Sequence, residues 1–450
     1  MPPSGQVVSY GRAHHSDRSH VKAELLVTGR LLQADGSLAR GAFTVRDGRV
    51  MGVGAHLQAE ERIDFGDRLV VPGAIDPHVH FRDPGHPEKE DFASGTRSAA
   101  LGGVTTVLDM PNTSPPVFTH AALADKLSRA RAKAVVDFGL YCGLDDNGES
   151  LALLPGSTAM KIYLGATTGN LLVRDMDLVR RALAAAAAAG RTVAVHAESQ
   201  ACLDRHAHAL DDSDFTSHST SRPPECEAEA IRTLAVAAHG TSARVHIAHL
   251  STRAGLDALR NTGFTSEATP HHLLLEQTAL RGGGKFKMNP PLRAPTDVRV
   301  LWDAFVRGDI TCLASDHAPH TIGEKAAIRL GECPSGVPGV QTLVPIVLAR
   351  ALEEKAPIAC IVAASTAAAR VFRLPGKGAL APGNDADFAV YDLEDVSEVR
   401  AERMASRAGW TPFEGMRAIF PTDVFVRGEA VVAEGKIVDD APRGRFVVPA

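Results

Sequence analysis

Residues 71–86 read VPGAIDPHVHFRDPGH. A short apolar run ends at Asp76, and His78 and His80 follow with one residue between them. Alternate residues of a strand point the same way, so two histidines at this spacing can aim into one site. Neutral imidazole is a common zinc ligand, and one strand end can then supply two of them. A lone His-x-His fits two polar residues of a surface loop equally well. Its setting matters more: an apolar strand precedes it, and Arg82, Asp83, Pro84 and Gly85 follow.

Outward from this stretch, apolar runs alternate with helical ones. Strands are expected at Leu69–Ile75, Val104–Asp109, Val135–Leu140, Ala159–Leu164, Thr192–His196, Arg244–His249, Phe264–Ala268 and Ile310–Asp316. Helical patterns between them include Phe92–Leu101, Ala121–Ala132, Leu178–Ala189, Glu225–Ala238, Arg253–Arg260 and Asp297–Val306. Eight such strands over about 300 residues match an α/β fold of the (β/α)8 TIM-barrel type. An open doubly wound sheet is the alternative, but no Gly-x-Gly-x-x-Gly turn follows the first strand.

Both ends of the chain have a different texture. Short strands at Ala23–Leu26, Ala42–Val45 and Arg49–Val53, with Asp47-Gly48 as a hairpin signal, precede the first histidines. Similar runs return at Ala386–Tyr391, Asp423–Val426, Glu429–Val432 and Lys436–Val438. The expected division is a flexible leader over 1–21, a small β-sandwich from 22–72 and 383–450, and the barrel over 73–382. The leader carries His14, His15 and His20 without the apolar core of a signal peptide.

The chain has 450 residues, 44% of them hydrophobic and 22% charged, as in ordinary globular proteins. A formal charge of -5 offers no basic footprint for nucleic acid, and no apolar run reaches a membrane span. The six cysteines are scattered with no CxxC pair, which predicts free thiols, a reducing compartment and a cytoplasmic protein. Any metal here is therefore held by histidine and carboxylate.

Catalysis in such barrels sits at the C-terminal ends of the strands. Those ends hold His78 and His80, Asp109 followed by Asn112, Lys161, His196, His249 and Asp316. Each alone has a structural explanation, such as a lysine stem packed along an apolar strand. Together they place four imidazoles, an amine and a carboxylate on one rim. His246 has the opposite strand parity to His249, so one of the two is expected to face inward, and His249 lies nearer the end. His271 and His272 read as supporting residues. The lysine needs its own account, because burial and neighbouring cations favour its neutral amine. That amine can add carbon dioxide to form a carbamate, an anion able to bridge two metals ~3.5–4 Å apart.

On DPHVHFRDPG (76–85), DMPNTSPP (109–116), MKIYLG (160–165), VHAES (195–199), VHIAHLS (245–251), EATPHHL (267–273), KMNPPLR (287–293), SDHAPH (315–320) and SGVPGVQT (335–342), the chain resembles the amidohydrolase superfamily. Within it, the chain is most similar to the dihydroorotase family. That resemblance implies two zinc ions per subunit, His78, His80 and Asp316 on one and His196 and His249 on the other. Carboxylated Lys161 and a hydroxide would bridge them, with Asp316 as catalytic base and acid. It also implies that Arg82, Asn112 and His320 hold a substrate carboxylate, while Asn289, Pro338 and Gly339 contact the ring. The implied reaction interconverts dihydroorotate and N-carbamoyl-L-aspartate in pyrimidine synthesis. Homodimers are expected, and a complex with aspartate transcarbamoylase is possible in this family. Dihydropyrimidinases, hydantoinases and allantoinases typically differ at Arg82 and His320, and a non-catalytic scaffold would have lost ligands that this chain keeps.

Overall fold

The computed structural model describes residues 23–32, 36–169 and 171–449; the leader lies outside them. Eight parallel strands form the centre: Ala74–Val79, Val104–Asp109, Asp137–Gly143, Ala159–Tyr163, Thr192–His196, Arg244–Ile247, Thr265–Ala268 and Cys312–Leu313. Their order in the sheet is their order in the chain. A parallel bridge from Val79 to His317, with the His80 amide donating to the His317 carbonyl, joins the last strand to the first. The first six of these strands are buried along nearly their whole length, as expected of a parallel sheet covered on both faces. The helices Phe92–Leu101, His120–Lys133, Met176–Ala188, Pro224–Ala238, Arg253–Leu259 and Pro295–Arg307 follow the first, second, fourth, fifth, sixth and seventh strands, and a 3-10 segment, Glu149–Gly156, follows the third.

The expected first strand, Leu69–Ile75, proves to be two. Leu69–Pro72 ends a 14-residue strand, Ala59–Pro72, paired with Phe388–Tyr391 in the terminal sheet. The barrel strand begins only at Ala74. Gly73 marks the break because a Cβ there would lie 2.2 Å from the Thr105 hydroxyl. The strand Ala59–Pro72 carries no apolar strand pattern because its first ten residues, AEERIDFGDR, are mostly polar.

The terminal layer is one continuous eight-stranded sheet with contributions from both ends of the chain. Ala23–Leu32 and Ala59–Pro72 run parallel, and the other pairs are antiparallel. Phe43 and Phe388 stand three strands apart, which in a flat sheet means about 14 Å. Their rings are 5.2 Å apart, so the sheet curls over a core that also holds Val27, Val70 and Phe425. Hydrogen bonds from Val50 to Asn384 and from Ala386 to Gly48 close it.

A buried ion cluster pins this sheet to the barrel. Lys377 Nζ lies 2.5, 2.9 and 2.6 Å from carboxylates of Asp137, Asp385 and Asp387, and Arg427 also pairs with Asp137. Asp137 opens the third barrel strand, whereas Asp387 precedes Phe388–Tyr391.

The cysteine expectation is corrected in part. Cys202 and Cys226, 24 residues apart in sequence, form a disulfide; Cys142, Cys312, Cys333 and Cys360 are free. Folding brings the starts of the helices Gln200–His206 and Pro224–Ala238 together, which spacing alone does not reveal. No helix among the described residues is long and apolar enough to cross a membrane.

Removing one partner from a buried ion cluster typically costs about 3–5 kcal/mol, because the opposite charges stay buried. Lys377→Met is therefore expected to lower unfolding free energy by that order in urea titrations. A loss under about 1 kcal/mol would show that the carboxylates are satisfied without it.

Candidate active site

Strand ends deliver the ionisable side chains to one cavity of about 30 Å³, lined by His78, His80, Arg82, Asn112, Lys161, His196, His249, Asn289 and Asp316. Tyr163, Thr167, Thr168, Ala318, Ser335 and Gly336 complete its wall. Three of these residues turn out of the strand direction: Arg82, His249 and Asp316 have φ of 57°, 36° and 46°. Left-handed backbone is uncommon outside glycine and is tolerated where the surroundings enforce it. Here it swings each side chain into the barrel mouth just past its strand.

The histidines and the aspartate form two groups. His78 Nε2 and His80 Nε2 lie 3.3 and 3.1 Å from Asp316 Oδ1. Across the mouth, His196 Nδ1 faces His249 Nε2 at 3.0 Å. Lys161, fully buried, stands between the groups with Nζ 3.5 Å from His78 Nε2.

Each of three imidazoles is held at the nitrogen turned away from the cavity. His78 Nδ1 contacts Glu267 Oε1 at 2.5 Å, His80 Nδ1 contacts Asn112 Oδ1 at 2.6 Å, and His196 Nε2 contacts Glu198 Oε2 at 2.8 Å. Such partners fix the tautomer so that the inward nitrogen presents its lone pair, the usual support of a metal-binding histidine. Glu198 is in turn gripped by Arg222. Glu267 also receives His246 Nε2 and the His249 amide.

Electrostatics agree with this arrangement. Burial lowers His80 to about 3 and pushes His249 well below the ordinary histidine value, so both are neutral. Burial alone would raise the Asp316 carboxyl, but His78 and His80 outweigh it and hold it well below the usual range. Glu267 behaves likewise under His78 and His246. Desolvation draws Lys161 down to about 8, against the pull of Glu267 and Asp316. Neutral imidazoles, an ionised carboxylate and a readily deprotonated amine form a donor set that suits divalent cations. His78, His80 and Asp316 stand close enough together to share one ion.

Arg82 and Asn112 open on the same cavity. His320 stands behind Arg82, with Nε2 3.3 Å from Arg82 Nη2 and 3.1 Å from the Ser335 carbonyl. It does not line the cavity, and neither do Pro338 and Gly339. The Gly339 amide instead donates to His317 Nδ1 at 3.0 Å. Ser335 and Gly336 take that stretch of wall, where Gly336 has φ 136° and a Cβ would meet the Ala318 carbonyl at 2.5 Å. Asn289 reaches it from a loop and hydrogen-bonds His218 and Thr167. Asp109 is turned away, paired with buried Lys126 at 2.6 Å.

Of His246 and His249, only His249 lines the cavity, as the parity argument expects. The strand ends at Ile247, and His246 Nε2 meets Glu267 Oε2 while the His249 backbone amide donates to Glu267 Oε1. His272 braces the site from outside, contacting the Thr269 hydroxyl and the Pro290 carbonyl. Glu267, Glu198 and Tyr163 lie within the sequence motifs EATPHHL, VHAES and MKIYLG, but nothing in the motifs by themselves shows what these side chains touch. Tyr163 was reachable by the period-two rule, since it follows Lys161 by two on one strand.

Comparison with known proteins places this geometry. The amidohydrolase family model matches residues 69–431, and the chain belongs to that family. It is thereby a metal-dependent hydrolase with a binuclear site. Among curated relatives, the dihydroorotase of Halobacterium salinarum is 41% identical over 85% of this chain and 91% of its own. That of Methanosarcina acetivorans is 36% identical over 91% and 92%. Among solved structures, L-hydantoinase (dihydropyrimidinase) from Arthrobacter aurescens superposes with a TM-score of 0.89 at 26% identity, over 95% of this chain and 100% of that one. Dihydropyrimidinase from Brevibacillus agri gives 0.86 at 28% identity, over 94% and 98%.

Partners behind a metal ligand typically contribute 10–100-fold to metal affinity or activity. Glu267→Gln should weaken metal retention by about that factor, measured by elemental analysis after dialysis against graded chelator. Retention equal to wild type would reduce Glu267 to a packing role.

Proposed function

We propose that this protein is a dihydroorotase, interconverting dihydroorotate and N-carbamoyl-L-aspartate. The observation that carries the reading is Arg82, a buried guanidinium opening with Asn112 onto the same cavity as the histidine, lysine and aspartate cluster. A guanidinium fork matches a carboxylate and leaves the scissile amide to the ionisable cluster. The curated relatives support it, sharing 36–41% identity across most of both chains.

Two zinc ions would be held by His78, His80 and Asp316 and by His196 and His249, with carboxylated Lys161 between them, and when bound they polarise the amide carbonyl and acidify water. The chain's own groups do the rest. Arg82 and Asn112 orient the ring through its carboxylate. Asp316, ionised, accepts a proton from the attacking water at a carboxylate oxygen and returns it to the leaving ring nitrogen. Ring closure follows the same path in reverse and consumes a proton, so lower pH favours it.

A second reading, a hydantoinase or dihydropyrimidinase acting on uncharged rings, draws on the structural neighbours. Arg82 argues against it, because such a ring leaves a buried cation without its anion. The same reading includes a homodimer, checked by light scattering of the purified chain alone and mixed with aspartate transcarbamoylase.

Two experiments test it. Wild type should hydrolyse dihydroorotate and discriminate against dihydrouracil by on the order of 10⁴, the ratio reached where a site is built for a missing polar group. Arg82→Met should lose most kcat/KM for dihydroorotate while retaining its metal. Preference for dihydrouracil, or unchanged kinetics in the variant, would refute the assignment.

Lys161→Ala should remove the bridging anion, with metal content and turnover falling together and a short carboxylic acid restoring part of both. An alanine variant with full metal and full activity would rule out the carbamate.

A further inference from the structure

Tyr163 has no place in the mechanism described, yet it forms part of the cavity wall. It is 3% exposed, and its hydroxyl is buried without a hydrogen-bond partner among the described residues. A buried donor left unpaired is costly, and buried polar side chains in native proteins nearly always have partners. Such an exception at a binding cavity points to a partner that arrives with the ligand.

The surroundings say which ligand atom that is. Tyr163 ends the fourth barrel strand, two residues after Lys161, so both side chains project into the barrel. The ring passes Lys161 Nζ at 5.4 Å and the His196 ring at 6.2 Å. Asp316, Arg82 and Asp109, from the eighth, first and second strands, are the charged groups that act on its hydroxyl. Tyr163 on the fourth strand and Arg82 just past the first line the same cavity. Two of those three groups are already engaged. Asp109 is occupied by Lys126 and the Phe81 amide, and Asp316 by His78 and His80. A phenol, with an ordinary pKa of about 10, is protonated at neutral pH and can donate to an anion.

Building on the dihydroorotase reading, we propose that Tyr163 is a specificity residue whose hydroxyl donates a hydrogen bond to the ring carboxylate held by Arg82. The donor completes the carboxylate's coordination from the fourth strand. It contributes nothing to rings that lack the carboxylate.

The test is Tyr163→Phe, which removes one oxygen and keeps the ring. Hydrogen bonds to charged groups are worth about 10–100-fold in binding. Orotate, a flat analogue bearing the same carboxylate, should bind the variant about 10–100-fold more weakly by calorimetry. KM for dihydroorotate should rise by a similar factor with a smaller change in kcat. Metal content and melting temperature should match wild type. Unchanged orotate affinity in the variant of an active enzyme would overturn this inference and leave the dihydroorotase reading intact. So would a fall in kcat at constant KM, which would assign the hydroxyl to the reacting carbonyl. A wild type that neither binds orotate nor hydrolyses dihydroorotate would overturn the reading and this inference together.

Discussion

Desolvation governs this molecule. Four imidazoles, an amine, a guanidinium and a carboxylate converge where water is largely excluded, and isolated charge there is expensive. The protein answers by pairing most of these groups, three of the four imidazoles among them. Glu267 alone accepts from His78, His246 and the His249 backbone, tying strands one, six and seven together. Glu198 does the same for His196 with Arg222 as counter-charge. Moving any one of these strands would strand a buried carboxylate or imidazole, so the site and the barrel specify each other.

The same economy appears beneath the site, where Lys377 satisfies three aspartates and locks the terminal sheet to the third barrel strand. Left-handed backbone at Arg82, His249 and Asp316 is the local cost of turning side chains out of regular strands. It falls where loops begin, and loops on a rigid barrel are where such folds vary their chemistry. Hydantoinases share nearly the whole backbone with this chain at 26–28% identity. Fold likeness alone therefore does not decide substrate choice, which is left to the side chains on the rim.

Much of this was legible in the chain itself. A buried parallel strand must be apolar and must end where polar residues begin, so Val104–Asp109, Ala159–Tyr163 and Thr192–His196 announce their spans, and the last two also carry cavity residues at their tips. The positions of His78, His80, Lys161, His196, His249 and Asp316 on one rim follow from that local rule and the symmetry of the barrel. Tertiary structure decided what depends on distant chain segments meeting. The half-polar strand Ala59–Pro72 is held in place by its neighbours on either side, Ala23–Leu32 and Phe388–Tyr391. The Cys202–Cys226 bond, the choice of Glu267 and Glu198 as the carboxylates behind the imidazoles, and the withdrawal of His320 from the cavity wall are of the same kind. A strand's pattern records which face is buried, because burial acts on each residue separately. Which buried groups touch is set by three-dimensional closure, and no local pattern carries that information.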